Sequence, residues 1–219
     1  MNLTGRTWQA VSKSDPEFFA ACAGLAAAPT LAPKLRELVA IAVNASATHL
    51  HVPGLRRHIR RALAEGADAA EIMAVLQLTS VVGVHAVAVG VPMLGEQGGI
   101  TRPDLKAEFI ARRGYWDPVW EQVLALDPGY FAAYLEFSSA PWRGDTLGPK
   151  VRELVYVAID ASATHMYAPG LKVHIDNARA HGATTAEIMA VLEVASLIGL
   201  QTIEVAVPIL LAELAGDDD

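Results

Sequence analysis

Residues 31–94 recur, without a gap, as residues 147–210. Glu37 and Glu153, His49 and His165, His58 and His174, and Pro92 and Pro208 each stand 116 positions apart, and about half of the aligned positions are identical. Upstream the offset falls to 112, pairing Trp8 with Trp120 and Asp15-Pro16 with Asp127-Pro128. Four extra residues around Pro-Trp-Arg-Gly-Asp (141–145) absorb the difference. A unit this long is a small domain rather than one turn of a solenoid. The chain therefore divides into a first half, residues 1–96, a linker, 97–112, and a second half, 113–219. Any fold it adopts must be built from two like pieces.

The local signals in each half are helical. Asp15-Pro16 and Asp127-Pro128 place an N-cap before a proline at the first helical position, and Pro33 and Pro149 open the apolar segments ending in Ala-Thr-His. Pro53-Gly54 predicts a break, followed by a short helix ended by Gly66. Asp68 with Glu71, and Thr184 with Glu187, have capping-box spacing. The long apolar helices that follow are expected to run into Pro92 and Pro208. No stretch alternates apolar and polar residues as a half-buried strand would. With 53% hydrophobic but only 6% aromatic residues, the chain suits close-packed helices. The expected fold class is all-α, two homologous helical repeats packed as a pseudo-dimer.

Composition also narrows the partners. A net charge of −7, with no basic stripe, argues against nucleic acid. Cys22 is the only cysteine, so neither an internal disulfide nor CxxC redox chemistry is available. A cytoplasmic location fits that single thiol, as does an N-terminus lacking the apolar run of a secretion signal. Residues 72–94 are long enough to span a bilayer. They carry Gln77, Thr79, Ser80 and His85, however, and the copy carries Glu193, Gln201 and Glu204, without flanking clusters of Lys or Arg. Both are read as helices buried within a protein outside the membrane.

The segment Ala-Thr-His-Leu-His-Val-Pro-Gly-Leu-Arg-Arg-His-Ile (47–59) and its copy (163–175) concentrate the chemistry-bearing residues. His49 and His165 suit acid/base roles because imidazole titrates near neutrality. A histidine at a helix C-terminus also interacts with the dipole. A reversal at Pro-Gly would return His58 towards His49, and His174 towards His165. Glu37 and Glu153 lie in first turns, where the dipole and an i,i+3 lysine offer a structural explanation. Yet Glu37, Asn44 and Thr48, like Glu153, Asp160 and Thr164, share a helical face, and such a polar stripe needs a pocket or partners. His51 becomes Tyr167, and His85 becomes Gln201, so the two halves need not hold equal sites. Arg56, Arg57, Arg60 and Arg61 form a basic patch that the second half lacks. It is a solvated face or an attraction for anionic substrates.

The order of these pieces, from Lys-Leu-Arg-Glu-Leu-Val (34–39) through the two histidines to Glu-Ile-Met-Ala-Val-Leu (71–76), resembles the carboxymuconolactone decarboxylase and alkylhydroperoxidase-D superfamily, over both halves. That resemblance implies helical hairpins that pack into oligomers, with pockets between helices or subunits. In its peroxidase branch a glutamate, a CxxC pair and a histidine share the central hairpin. Glu37 stands where that glutamate would, His49 falls at the spacing of the first family cysteine, and His58 lies two residues beyond the family histidine. Thiolate chemistry needs sulfur, so the site cannot reduce peroxides by that route.

The expected function is a lyase or isomerase without a cofactor or bound metal, acting on a small carboxylated or lactone substrate. Glu37, His49, His58, Glu153, His165 and His174 would be catalytic. His51, Tyr167, Thr48, Thr164, His85 and Gln201 would contact substrate. The assembly expected is a dimer or trimer of tandem chains, with neither nucleic acid nor membrane as partner. Two alternatives remain. One is a divalent metal held by His49, His51, His58 and Glu37; the other is a non-catalytic ligand-binding or assembly protein.

Overall fold

The computed structural model describes residues 3–96, 98–99 and 101–216. Among them the chain forms thirteen α-helices and no strand. In the first half these are α1 (Arg6–Ser14), α2 (Pro16–Ala27), α3 (Pro33–Ala45), α4 (Val52–Ala64), α5 (Ala69–Ser80) and α6 (His85–Met93). Helix α7 (Pro103–Arg113) belongs to the connection and has no counterpart. The second half repeats the series as α8 (Pro118–Leu126), α9 (Pro128–Ser139), α10 (Pro149–Ala161), α11 (Ala168–Ala180), α12 (Thr185–Ser196) and α13 (Gln201–Ala215).

The capping signals are realised. Asp15 and Asp127 accept hydrogen bonds from the amides of Phe18 and Tyr130, and both capping boxes close. The expected pairing of Glu37 with Lys34 is not formed. Lys34 and Lys150 reach instead to the box glutamates, Glu71 and Glu187, at 2.8 Å each. Pro53-Gly54 is not the break either. It lies in the first turn of α4, where a proline's missing N–H costs nothing. The long apolar helices are interrupted by 3-10 turns at Val81–Val84 and Leu197–Leu200, and they continue past Pro92 and Pro208. Proline removes one amide donor, a local penalty, and the residues after Pro208 are strong helix formers.

Helices α3 and α10 pack against each other at the centre and are almost wholly buried; Val39, Ile41, Leu154 and Val157 have no more than 0% relative exposure. Each carries its own hairpin partner, α4 or α11. The following helices cross over: α5 packs on both α3 and α10, and α12 on both α10 and α3. These reciprocal contacts are what a two-fold relation between the halves requires. Apolar burial on this scale is the main stabilising term. An aromatic cluster of Phe109, Trp116, Trp120 and Phe131 seats α7 on the second half.

Residues 69–93 and 185–215 are long and apolar enough to cross a membrane by length and composition. Burial within the fold holds for α5 and α12 but not for the last helix. In α13 only Gln201 is buried, and Val205, Ile209, Leu210, Leu211 and Leu214 are exposed.

Candidate active site

Each central helix stops at the alanine before Ser-Ala-Thr-His and enters a tight corner. The hydroxyls of Ser46 and Thr48 pair at 2.9 Å, and those of Ser162 and Thr164 at 3.1 Å. Leu50 and Met166 then take left-handed backbone angles, φ 43° and 53°, which non-glycine residues rarely adopt. Thr48 and Thr164 therefore lie beyond the helix that was expected to carry them. They are exposed and staple the turn.

The corner explains the repeated Pro-Gly. A Cβ on Gly54 would sit 2.2 Å from Asn44 Oδ1, and one on Gly170 would sit 2.3 Å from Asp160 Oδ2. Only glycine lets the second helix approach the polar residue of the first this closely.

In the first half most polar groups are mutually satisfied, although His51 Nε2 and Arg57 Nε have no partner. His58 Nδ1–H donates to Glu37 Oε2 at 2.6 Å, both residues buried. His49 Nε2–H donates to Gln201 Oε1 at 2.6 Å, and Gln201 Nε2–H donates to Asn44 Oδ1 at 2.8 Å. His51 uses Nδ1 to cap α4, accepting from the Gly54 amide at 3.2 Å. Arg57 grips Glu204 of α13 in a bidentate ion pair at 3.0 and 3.1 Å, covering the corner. Burial pushes the Glu37 carboxyl up, but the hydrogen bond and charge of His58 leave it below its ordinary value. Burial holds the His58 imidazole below its own, against the pull of Glu37. A void of about 340 Å³ remains beside Asn44, His58 and Gln201.

The second half keeps the frame and changes the contents. His174 Nδ1–H donates to Glu153 Oε2 at 2.6 Å, which turns His174 Nε2 towards Asp160 Oδ2, 4.0 Å away. His85 of α6, the position equivalent to Gln201, meets His165 at 2.5 Å between Nδ1 and Nε2. Both imidazoles place Nε2 3.9 Å from Asp160 Oδ1. Tyr167 stacks on His85 at 3.9 Å instead of capping a helix, and Tyr156 stacks on His174 at 4.4 Å. Asp160 is 1% exposed and its Oδ2 has no hydrogen-bond partner. Burial, with the neighbouring Glu153 charge, pushes its carboxyl up to about 8. Burial, then the charges of His165 and His174, pulls His85 down to about 3, and burial lowers His165. Near neutral pH the cluster thus holds a protonated carboxyl beside the unprotonated imidazoles of His85 and His165.

His85, Asp160, Tyr167 and His174 of this cluster line a pocket of about 610 Å³, its mouth included, and His165 stands behind them. Val173 and Ala88 line it where the first half has Arg57 and Glu204, so no ion pair covers the entrance. Arg113, Tyr115 and Tyr156 complete the polar wall.

Each corner therefore takes one residue from the opposite half, Gln201 for the first and His85 for the second. The pair that differs between repeats belongs to the site across the molecular centre. A model of the carboxymuconolactone decarboxylase family matches residues 16–92 and 128–211, one match for each repeat. The chain belongs to the carboxymuconolactone decarboxylase family. The all-helical fold, with its internal repeat, follows that family's architecture. A solved structure of a candidate gamma-carboxymuconolactone decarboxylase subunit from Burkholderia xenovorans LB400 is similar throughout. It is 43% identical, with a TM-score of 0.93 over 98% of this chain and 93% of that one. No curated protein matches. Membership supports a decarboxylase-like or alkylhydroperoxidase-D-like kind of activity. The only cysteine, Cys22, is buried beneath α1 and the 3-10 turn at Leu197–Leu200, away from either corner.

The sequence suggested that His58 returns towards His49 and His174 towards His165; the structure instead bonds His58 to Glu37 and His174 to Glu153. His49 and His165 point to the other half. His49, His51, His58 and Glu37 do not gather as metal ligands, because His58 and Glu37 bond each other while His49 and His51 turn to Gln201 and the Gly54 amide. Among the described residues the group that does gather is His85, Asp160 and His165, with ligand atoms within 4.8 Å of one another. Asp160 was visible only as part of a polar stripe. Its signal was the change from Asn44 within an otherwise preserved frame. Arg113, Tyr115 and Tyr156 lacked any repeated counterpart to mark them.

Proposed function

We propose that this chain is a cofactor-independent lyase or isomerase, acting on a small carboxylated or lactone substrate in the second-half pocket. The observation that carries this reading is the buried Asp160 carboxyl with an unpartnered oxygen, within 4.0 Å of three imidazoles, two of which, His85 and His174, line the same open cavity. Loss of CO₂ leaves an electron pair on carbon, delocalised into an adjacent carbonyl, and the carbon must then gain a proton. A protonated Asp160 supplies it, and one proton from solvent, relayed through the hydrogen-bonded pair His165 and His85, restores the carboxyl after each turnover. Glu153 holds His174 in the tautomer that presents Nε2 to the cavity, a positioning role. In an isomerisation the same groups remove a proton from one carbon and deliver it to another. The 43% identical relative's description as a gamma-carboxymuconolactone decarboxylase subunit supports the first of these.

The test is turnover of muconate-derived lactones and related small acids, followed by CO₂ release and product isomer analysis. Asp160→Asn and His174→Gln are each expected to lower kcat by about 100-fold or more with folding intact. Unchanged turnover in Asp160→Asn overturns the assignment. Ligand binding without turnover of any candidate favours a non-catalytic binding protein.

The convergence of His85, Asp160 and His165 supports a second reading, a divalent metal site. Two zinc ligands sit about 3.3 Å apart when each bond is about 2.05 Å, so the His85–His165 hydrogen bond would have to open. Elemental analysis of the purified protein separates the readings. The exposed apolar row on α13 supports a dimer or trimer of tandem chains, which light scattering would test.

A further inference from the structure

Arg113 closes the connecting helix α7 and is buried to 5% exposure at the wall of the second-half pocket. A guanidinium keeps its charge at any physiological pH and has five N–H donors. Among the described residues one of these is used, Nη1–H donating to the Ser138 carbonyl at 3.1 Å, and Nε has no partner. No carboxylate forms an ion pair with it among those residues. Glu153, the acidic group whose charge acts on it, is already held by His174 and Asn177. The rings of Trp142, Tyr115 and Tyr156 surround its charge at 5.2–5.7 Å. Cation–π contacts offset only part of the cost of burying a cation. The Tyr156 hydroxyl lies alongside on the same pocket wall, near Arg113 and Trp142 but with no well-aligned hydrogen bond to either.

We infer that Arg113 and Tyr156 form a carboxylate-binding subsite that selects anionic substrates and orients them towards Asp160. This deepens the catalytic reading above and rests on it. An incoming carboxylate supplies the charge and acceptors that both side chains lack, and a guanidinium matches its two oxygens. Tyr156 and Asp160 are four residues apart on α10, hence on one face with Cβ atoms about 6 Å apart. A carboxylate held at Tyr156 therefore sets a carbon a few bonds away against Asp160. The first half has Ala40 at the position of Tyr156 and no equivalent of α7, so it cannot form this subsite. The basic patch Arg56, Arg57, Arg60 and Arg61 is not the anion site. Its Arg57 is spent on Glu204.

The experiment measures binding without turnover, by calorimetry and tryptophan fluorescence. The probes are short carboxylic acids of increasing length, hexanoate first, each beside its neutral amide. Wild-type protein is expected to favour acids over amides by about tenfold or more. Arg113→Met should erase that preference while leaving amide binding unchanged, and Tyr156→Phe should weaken acid binding alone. If no acid outbinds its amide in the wild-type protein, the inference fails whether or not Arg113→Met folds. It fails equally if Arg113→Met keeps the preference. Acid preference with full turnover in Asp160→Asn would sink only the acid–base reading. No acid preference with turnover lost in Asp160→Asn would sink only this subsite.

Discussion

Replacing Asp160 by Asn, the residue its counterpart Asn44 already is, should make the protein more stable at neutral pH. The carboxyl ionises at about 8 in the folded chain against an ordinary 3.8. Between those values the folded state binds more protons at this site than the unfolded state. The contribution of Asp160 to stability is therefore full below pH 3.8, falls as pH rises through the window, and levels off above about 8. The slope is about 1.4 kcal/mol per pH unit, so from pH 5 to 7.5 the disadvantage grows by about 3 kcal/mol. His85 acts oppositely. Its imidazole is depressed to about 3 from 6.5, so its contribution rises with pH across that lower window and is complete above 6.5. In the wild-type protein the two effects offset each other up to about pH 6.5, and only the Asp160 decline continues beyond. Because the imidazoles stand 3.9 Å from the carboxylate, the titration belongs to the cluster. The assay is urea unfolding of both proteins across this pH range. The expected result is a stability difference favouring Asp160→Asn that widens with pH. A difference independent of pH would refute the buried neutral carboxyl, and with it the proton donor proposed for catalysis.

Two further outcomes test the architecture. Gly170→Ala places a methyl group 2.3 Å from Asp160 Oδ2, and thermal unfolding should show a loss of about 1–3 kcal/mol together with loss of turnover. The double variant Arg57→Val with Glu204→Ala installs the second half's residues in the first. Replacing both partners of the ion pair should change stability by less than about 2 kcal/mol, whereas Arg57→Val alone should cost more by stranding Glu204.

Much of this arrangement was legible in the sequence because it depends on local rules that the repeat states twice. Capping boxes, prolines at helix starts and the 116-residue offset needed no tertiary information. The pairing of Glu37 with His58 was half visible, since both flank one hairpin. The crossing was not. Nothing in the order of residues says that His85 serves the corner of Asp160 rather than that of Asn44, because helix exchange between halves is a property of packing. The 3-10 turns and the persistence of α13 beyond Pro208 escaped for a related reason. A proline's penalty is local, and neighbouring residues decide whether the helix resumes. Arg113 stands where the linker meets the second half, at a position with no copy in the first to draw attention to it.

The exchange of Gln201 and His85 has a bearing on how such a chain can change. In an assembly of identical single-repeat subunits, any substitution alters every pocket at once. Fusing two repeats releases that constraint, because a residue in one half edits the chamber of the other alone. One chamber could then settle into an amide lattice that braces the molecule, while its sibling kept the acid and imidazoles. Each half has become a component of the other's machinery, and neither carries a complete set.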